Sequence, residues 1–227
     1  MTFDSLISLW PAAGVRARAR NLELRWVDDE LAVELASLAA RGIHDPERMP
    51  FNFPWTRGSA QEVARNVLTY QWRTRQDVGP ARLTLEYAVL VDGTVVGVQG
   101  ASGASWPILR SVETGSWLGR EFHGRGIGTR MRAVLLHLLF DGLDAAEVTS
   151  TAFEDNRASN AVSLKTGYLL DGTARVVREG VATPQNRYRM TRERWEEVRY
   201  VNARLAGGAV ALDGVTELRD HLDAPAH

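Results

Sequence analysis

The sequence predicts a single α/β domain with a mixed, mostly antiparallel central sheet that is flanked by helices. Strand patterns on both sides of Asp92 and Gly93, a pair typical of a tight hairpin turn, predict a meander in the middle of the chain. The clearest helix follows at residues 126–140, where apolar residues form one stripe. Shorter strand and helix patterns alternate after it, and this order requires parallel as well as antiparallel strand pairs.

Each predicted element has a local signal. Ser59 and Glu62 have the spacing of a capping box, in which the two side chains satisfy backbone N–H groups at the start of a helix. Three prolines keep residues 43–57 out of regular structure. In chain order, the predicted elements are a strand at 21–27, a helix from 28 or 29 to about 38, a helix from 59 to about 76, strands at 83–91, 94–99 and 111–118, a helix at 126–140, a strand at 147–153, a helix at 157–166, strands at 168–178 and 187–190, and a helix from 191 to about 205.

The chain of 227 residues is long enough to bury one large core. We expect residues 1–20 to be an irregular N-terminal extension, residues 21–191 the folded domain, and residues 192–227 a C-terminal helix and tail. The pair Gly207-Gly208 ends that helix, and the sequence predicts no element beyond it.

Composition and charge exclude several classes of protein. A net charge of −1 provides no basic field for nucleic acid or an anionic membrane, and no apolar run approaches the ~18 residues of a membrane span. The lack of cysteine excludes disulfides and thiolate chemistry, and the five histidines lack the spacing of metal ligands. The N-terminus has no secretory-signal pattern. We therefore expect a cytoplasmic protein that binds neither metal, nucleic acid nor membrane.

A glycine-rich turn before the clearest helix is the most informative motif. Gly124, Gly126 and Gly128 alternate, so successive backbone N–H groups can point into one concavity at a helix N-terminus, which suits phosphate. Arg125 and Arg130 are candidate side-chain partners. The alternative is a plain turn with a solvated basic face. The turn lacks the lysine of a P-loop, and its third glycine comes one residue early for a dinucleotide fingerprint.

The segment from His123 to Gly128 resembles the acyl-CoA-binding motif of the GCN5-related N-acetyltransferases, Gln/Arg-x-x-Gly-x-Gly/Ala, with His123 in the first position. A second motif of that family, Asn-x-x-Ala/Ser followed by Gly-Phe/Tyr, is matched between Asn156 and Tyr168. The two motifs are separated by one helix and one strand, as in the family. The resemblance covers roughly residues 20–191 and is strongest to the RimJ/RimL-like subgroup, in an actinobacterial branch.

This resemblance implies a GNAT-like fold and a CoA-dependent N-acyltransferase. The acyl group, acetyl or another such as succinyl, would pass directly from acyl-CoA to a primary amine of a small molecule, peptide or protein. Backbone amides of the glycine turn would hold the pyrophosphate, and the preceding strand would pair with the pantetheine arm. A homo-oligomer is left open. The residues implied to bind acyl-CoA are Ser116, Trp117, Leu118, Gly119, His123, Gly124, Arg125, Gly126, Ile127, Gly128, Thr129, Arg130, Asn156 and Ser159.

Two residues are implied to be catalytic. Glu113, at the start of the strand that leads to the turn, is the candidate general base, with Asp155 and Glu86 as alternatives. Ser163 stands where many family members have the tyrosine that protonates the leaving thiolate, so Ser163 or a water would donate instead.

Three functions remain open from the sequence. The first is the acyltransferase, and the second is a non-catalytic acyl-CoA sensor, which the missing tyrosine favours. The third and weakest is a nucleotide-binding oxidoreductase. Residues 43–57 cover the acceptor and acyl pocket in the family; the alternative is a plug whose aromatic side chains complete the core.

Overall fold

Nine strands and eight α-helices form the part of the chain that this computed structural model describes, residues 5–224. The strands are β1 (Arg16–Ala19), β2 (Leu22–Trp26), β3 (Arg82–Val91), β4 (Thr94–Ala104), β5 (Ser111–Leu118), β6 (Glu147–Phe153), β7 (Leu169–Arg178), β8 (Val181–Thr191) and β9 (Ala211–Asp213). The helices are α1 (Leu6–Leu9), α2 (Asp29–Ala40), α3 (Ala60–Thr74), α4 (Trp106–Leu109), α5 (Ile127–His137), α6 (Arg157–Lys165), α7 (Arg192–Ala206) and α8 (Val215–Asp223).

All nine strands belong to one sheet, in the order β7-β8-β6-β5-β4-β3-β2-β1-β9. Only β5 and β6 run parallel; the other neighbours are antiparallel. Helices α5 and α7 cover one face with the larger apolar core, while α2 and α3 cover the other face with a second core. This architecture confirms the predicted α/β class and the mixed, mostly antiparallel sheet.

The local signals hold where they were predicted. The Ser59 side chain accepts a hydrogen bond from the Glu62 amide at 3.3 Å, and the Glu62 carboxylate accepts one from the Ser59 amide at 2.8 Å. Asp92 and Gly93 both have positive φ, +50° and +77°, as a type I′ hairpin turn requires. Residues 43–57 contain no helix or strand.

Both ends of the described chain contain structure that the sequence did not predict. The expectation that residues 1–20 are irregular is wrong for β1, whose Ala17 and Ala19 are buried. Strand β9 pairs with β1, and Arg18 forms an ion pair with Asp213 at 2.6 Å. The expected boundaries at 20 and 191 stay a prediction. Residues 1–4 and 225–227 lie outside the described part.

Candidate functional site

The parallel strand pair β5–β6 separates partway along its length. Strands β5 and β6 pair from Ser111 and Glu147 to Thr114 and Ser150. Beyond that point β5 continues alongside β4 and β6 continues alongside β8, but β5 and β6 no longer pair with each other. We call residues 115–118 and 151–153 the strand splay, and Thr114 and Ser150 mark its closed end. Its facing edges can accept an added extended chain.

The two faces of the sheet at the closed end carry different chemistry. Side chains alternate along a strand, and directly paired residues share a face. Glu113 shares its face with Trp117, which packs against the core under α2 and α3, so Glu113 lies on that face. Thr114 and Ser150 lie on the opposite face, covered by α5. The Thr114 hydroxyl donates to the Thr149 carbonyl at 3.0 Å and is 3.4 Å from the buried Tyr168 hydroxyl.

The glycine turn leads from the open end of the splay into α5. Gly124 and Gly126 both have left-handed backbones, with φ of +73° and +74°, and no atom lies within 4 Å of a Cβ built at either position. No amide of residues 124–129 donates a hydrogen bond within the described chain. The turn is therefore an open concavity of free N–H groups at a helix N-terminus, which suits an anion.

The side chains around this turn are held in different ways. His123 lies within hydrogen-bond distance of the Leu118 carbonyl, 3.1 Å from its Nε2, which closes the turn against the end of β5. Arg125 is exposed and stacks over Phe122. Arg130 donates to the Asn21 side chain at 2.7 Å, so its guanidinium is already engaged on the β1–β2 turn. Of the two candidate arginines, Arg125 is the better placed for a ligand.

The remaining residues predicted to bind acyl-CoA contribute mainly backbone. Ser116 and Trp117 face the splay edge on β5, with Ser116 paired to Gln99 on β4. Gly119 differs, because its amide donates to the Val96 carbonyl at 2.9 Å and is not free. The Ile127 side chain is buried in the core. The other predicted residues in β5 and the turn are partly buried: Leu118, Gly128 and Thr129.

Helix α6 brings three predicted residues to the same end of the sheet. Asn156 caps the helix, because its side-chain oxygen accepts a hydrogen bond from the Ser159 amide at 3.2 Å. Ser163 is buried, and its hydroxyl has no hydrogen-bond partner within residues 5–224. A buried hydroxyl without a partner is unfavourable, so it points to a ligand or water.

Glu113, the predicted general base, lies at the closed end of the splay. Its side chain is exposed, and its Oε1 accepts a hydrogen bond from the Thr151 hydroxyl at 2.7 Å. Thr151 is the first residue of β6 beyond the closed end, so this hydrogen bond fixes the carboxylate across the opening of the splay.

The two alternative bases lie in different surroundings. Asp155 receives two hydrogen bonds from Arg178, at 2.8 and 3.0 Å, and this pairing lowers its pKa. Glu86, on β3, accepts a hydrogen bond from Tyr70 at 3.1 Å. Burial raises the pKa of the Glu86 carboxyl to about 7. Glu86 lies over Gly100 on β4, and its own strand β3 is two strands away from β5, which carries Glu113.

The segment 43–57 lies against the splay and the β7–β8 hairpin. Phe51, Trp55 and Trp117 form a row with ring centres 5.1 and 6.0 Å apart, which links the segment to β5. Arg57 donates to both oxygens of Glu179 in the hairpin, at 2.7 and 2.9 Å. A cleft of about 250 Å³ opens between this segment and α2 and α3. The aromatic row completes the core and also forms a wall of the site.

Sequence reasoning missed Arg132, which is buried beside the closed end. Its guanidinium donates to the Ser150 hydroxyl at 3.1 Å and to the Gln99 side chain at 3.4 Å. The available signal was an arginine inside the apolar run from Met131 to Leu139, where a solvated cation is not expected.

The described residues fit an extended ligand with an anionic end. Free amides lie at the turn, an unpaired strand edge leads inward, and the Ser163 hydroxyl lacks a partner. Residues 5–224 contain no group of three or more histidine, aspartate or glutamate side chains that could hold a metal. No helix in that range is long and apolar enough to cross a membrane.

The sequence matches a family of known proteins. The family described as acetyltransferase (GNAT) domain matches residues 21–169. YdaF of Bacillus subtilis, whose name assigns it provisionally to the ribosomal N-acetyltransferases, is 30% identical over 118 residues, or 52% of this chain and 62% of YdaF. This chain thus matches less than two thirds of that relative.

Solved structures share the fold. Mycobacterium smegmatis RimJ in complex with CoA-disulfide has a TM-score of 0.68 at 21% identity, covering 86% of this chain and 93% of RimJ. A RimL ribosomal L7/L12 alpha-N-protein acetyltransferase in complex with coenzyme A has a TM-score of 0.60 at 22% identity, covering 76% of this chain and 95% of RimL.

Proposed function

Because this chain belongs to the GNAT acetyltransferase family, we propose that it transfers an acetyl or related acyl group from acyl-CoA to a primary amine. The observation that carries the proposal is the strand splay, which has free amides at its open end and a carboxylate fixed across its closed end. The RimJ and RimL structures with the same fold were solved with CoA-disulfide and coenzyme A, which supports this substrate.

The amides of residues 124–129 bind the pyrophosphate in this proposal. The pantetheine arm lies in the splay and pairs with residues 116–118 of β5. Four residues of extended strand separate Leu118 from Thr114, or ~13 Å at 3.3 Å per residue, so the thioester reaches the closed end. Acyl-CoA supplies an activated acyl group there, and the chain orients it.

Glu113 removes the proton from the acceptor amine. Its carboxylate lies on the α2/α3 face, and the hydrogen bond from Thr151 keeps it over the splay. On the opposite side, the Ser163 hydroxyl donates a hydrogen bond to the leaving sulfur.

The acceptor enters between segment 43–57 and the β7–β8 hairpin. The Arg57–Glu179 ion pair and the hydrogen bond from Gln185 to Asn52 join these two walls. We propose the α-amine of a protein or peptide as the acceptor, because RimL is named as an alpha-N-protein acetyltransferase. The provisional name of YdaF, a ribosomal N-acetyltransferase, is consistent with a protein acceptor. A small amine is the second candidate.

The test is the release of free CoA thiol with acetyl-CoA and a panel of amines, compared between the wild type and Glu113→Gln. The glutamine keeps the shape of the side chain and removes the base. We expect wild-type turnover with one peptide class, ~10²–10⁴-fold lower turnover in Glu113→Gln, and nearly unchanged CoA affinity.

Each other outcome has a definite meaning. No turnover in either protein, with tight acyl-CoA binding, identifies the chain as a sensor. Near-normal turnover in Glu113→Gln, with a large loss in Glu86→Gln, makes Glu86 the base. Loss of CoA binding in Glu113→Gln assigns the residue to a structural network.

A further inference from the structure

Arg132 is a buried cation whose neighbours are neutral. Only 3% of its surface is exposed. Its guanidinium donates to Ser150 and Gln99 and lies 6.0 Å from the centre of the Tyr168 ring. Burial raises the pKa of Tyr168, so that phenol stays uncharged at neutral pH. Within residues 5–224, no carboxylate forms an ion pair with Arg132.

This arrangement is unfavourable for the folded chain alone. An arginine cannot lose its proton, and burying a charge without an opposite charge is costly. The serine hydroxyl and the glutamine side-chain oxygen accept hydrogen bonds from the guanidinium, but neither group supplies negative charge. The chain therefore retains a buried cation to which its own residues supply no opposite charge.

The location of Arg132 indicates where a negatively charged group would bind next to it. Ser150, which accepts its hydrogen bond, is the last residue of β6 that pairs with β5. Arg132 thus lies beneath the closed end of the strand splay, on the α5 face. Glu113 lies at the same end on the opposite face. A group bound at the closed end has a carboxylate on one side and a guanidinium on the other.

We propose that Arg132 stabilises the sulfur of CoA as a thiolate at the closed end of the strand splay. The inference rests on the proposed function. When the amine attacks, the N–C bond forms, the C–S bond breaks and its electron pair stays on sulfur. The amine proton passes to Glu113. The negative charge that moves onto sulfur is then balanced by the guanidinium.

This role accounts for the residue that replaces the family tyrosine. A leaving thiolate needs a proton or a nearby positive charge. Ser163 is a weak acid and supplies only a hydrogen bond. With Arg132 beneath the sulfur, the thiolate leaves without being protonated inside the site.

The test compares binding of CoA with binding of desulfo-CoA, in which hydrogen replaces the thiol, by titration calorimetry at pH 8. One hydrogen bond between a cation and a thiolate predicts that the wild type binds CoA ~10–100-fold more tightly than desulfo-CoA. Arg132→Met removes this preference, whereas Arg132→Lys keeps part of it. Arg204→Met, on the exposed end of α7, is the matched control and keeps the wild-type ratio.

The outcomes separate the inference from the proposed function. Equal wild-type affinity for CoA and desulfo-CoA overturns the thiolate role while CoA binding stands, and this result does not depend on how any variant folds. Binding of neither ligand overturns both. A third outcome is that Arg132→Met binds succinyl-CoA more weakly than the wild type does but keeps the wild-type preference for CoA over desulfo-CoA. In that case the cation meets an acyl carboxylate instead, and the proposal is wrong.

Discussion

Substitution of Gly126 is the sharpest test of the proposed CoA site. It adopts φ of +74°, and a Cβ at this position meets no atom of the described chain within 4 Å. Gly126→Ala therefore places a methyl group in the open concavity that we assign to the pyrophosphate, without a collision in the folded chain. Gly128 is a poorer choice, because a Cβ there packs at 3.6 Å against Val162 and points toward α6.

The substitution has two separable costs. Alanine in a left-handed backbone costs about 1–2 kcal/mol of stability, which lowers the melting temperature and leaves the chain folded. The methyl group also displaces the anion from at least one amide, and a hydrogen bond to a charged group contributes about 1.5–3 kcal/mol. We therefore expect CoA to bind Gly126→Ala ~10–150-fold more weakly.

Gly180→Ala is the matched control. Gly180 has φ of +83°, also has no atom within 4 Å of a built Cβ, and lies in the β7–β8 turn. It has the same backbone strain and should bind CoA as the wild type does. The assay is calorimetric titration of both folded variants with CoA. Equal affinities in Gly126→Ala and Gly180→Ala would refute the assignment of the turn to the pyrophosphate.

Two further predictions concern buried polar groups. The raised pKa of Glu86, about 7, means that the folded chain holds this proton more tightly than the unfolded chain does, so its contribution to stability is lost as pH rises through 7. We therefore expect the free energy of unfolding of Glu86→Gln, measured relative to the wild type by urea unfolding, to rise by about 1–3 kcal/mol from pH 5 to pH 8. A difference between the two proteins that does not change with pH contradicts the burial argument. Ser163→Ala removes a buried hydroxyl without a partner, so the free protein should keep its stability or gain about 1 kcal/mol, while steady-state turnover falls ~5–30-fold. Unchanged turnover would remove Ser163 from the mechanism.

Local signals predicted much of the fold and the position of the site. The capping box at Ser59, the Asp92-Gly93 turn and the glycines at 124 and 126 each depend on a few neighbouring residues. The two motifs predicted the glycine turn before α5 and the helix α6, and the family match to residues 21–169 confirms the resemblance that they carry.

Features that depend on distant contacts were not predictable from the sequence. Strand β1 is four residues of alternating arginine and alanine, and its pairing with β9 joins residues almost 200 positions apart, as in the 2.6 Å ion pair between Arg18 and Asp213. The same limit applies to side-chain environments. The sequence predicts Arg130 as a phosphate ligand, but in the structure its guanidinium donates a hydrogen bond to the Asn21 side chain. The burial of Arg132 depends on three strands and α5 meeting at the closed end of the splay.

The position of CoA in the strand splay is best tested by a crystal structure of the wild-type chain with CoA. We expect the pyrophosphate to contact the amides of residues 124–129 and the pantetheine arm to lie between residues 115–118 and 151–153. We expect the sulfur at the closed end, between Glu113 on one face and Arg132 on the other. CoA bound outside the splay, or with its sulfur away from Thr114 and Ser150, would show that the proposed site is wrong.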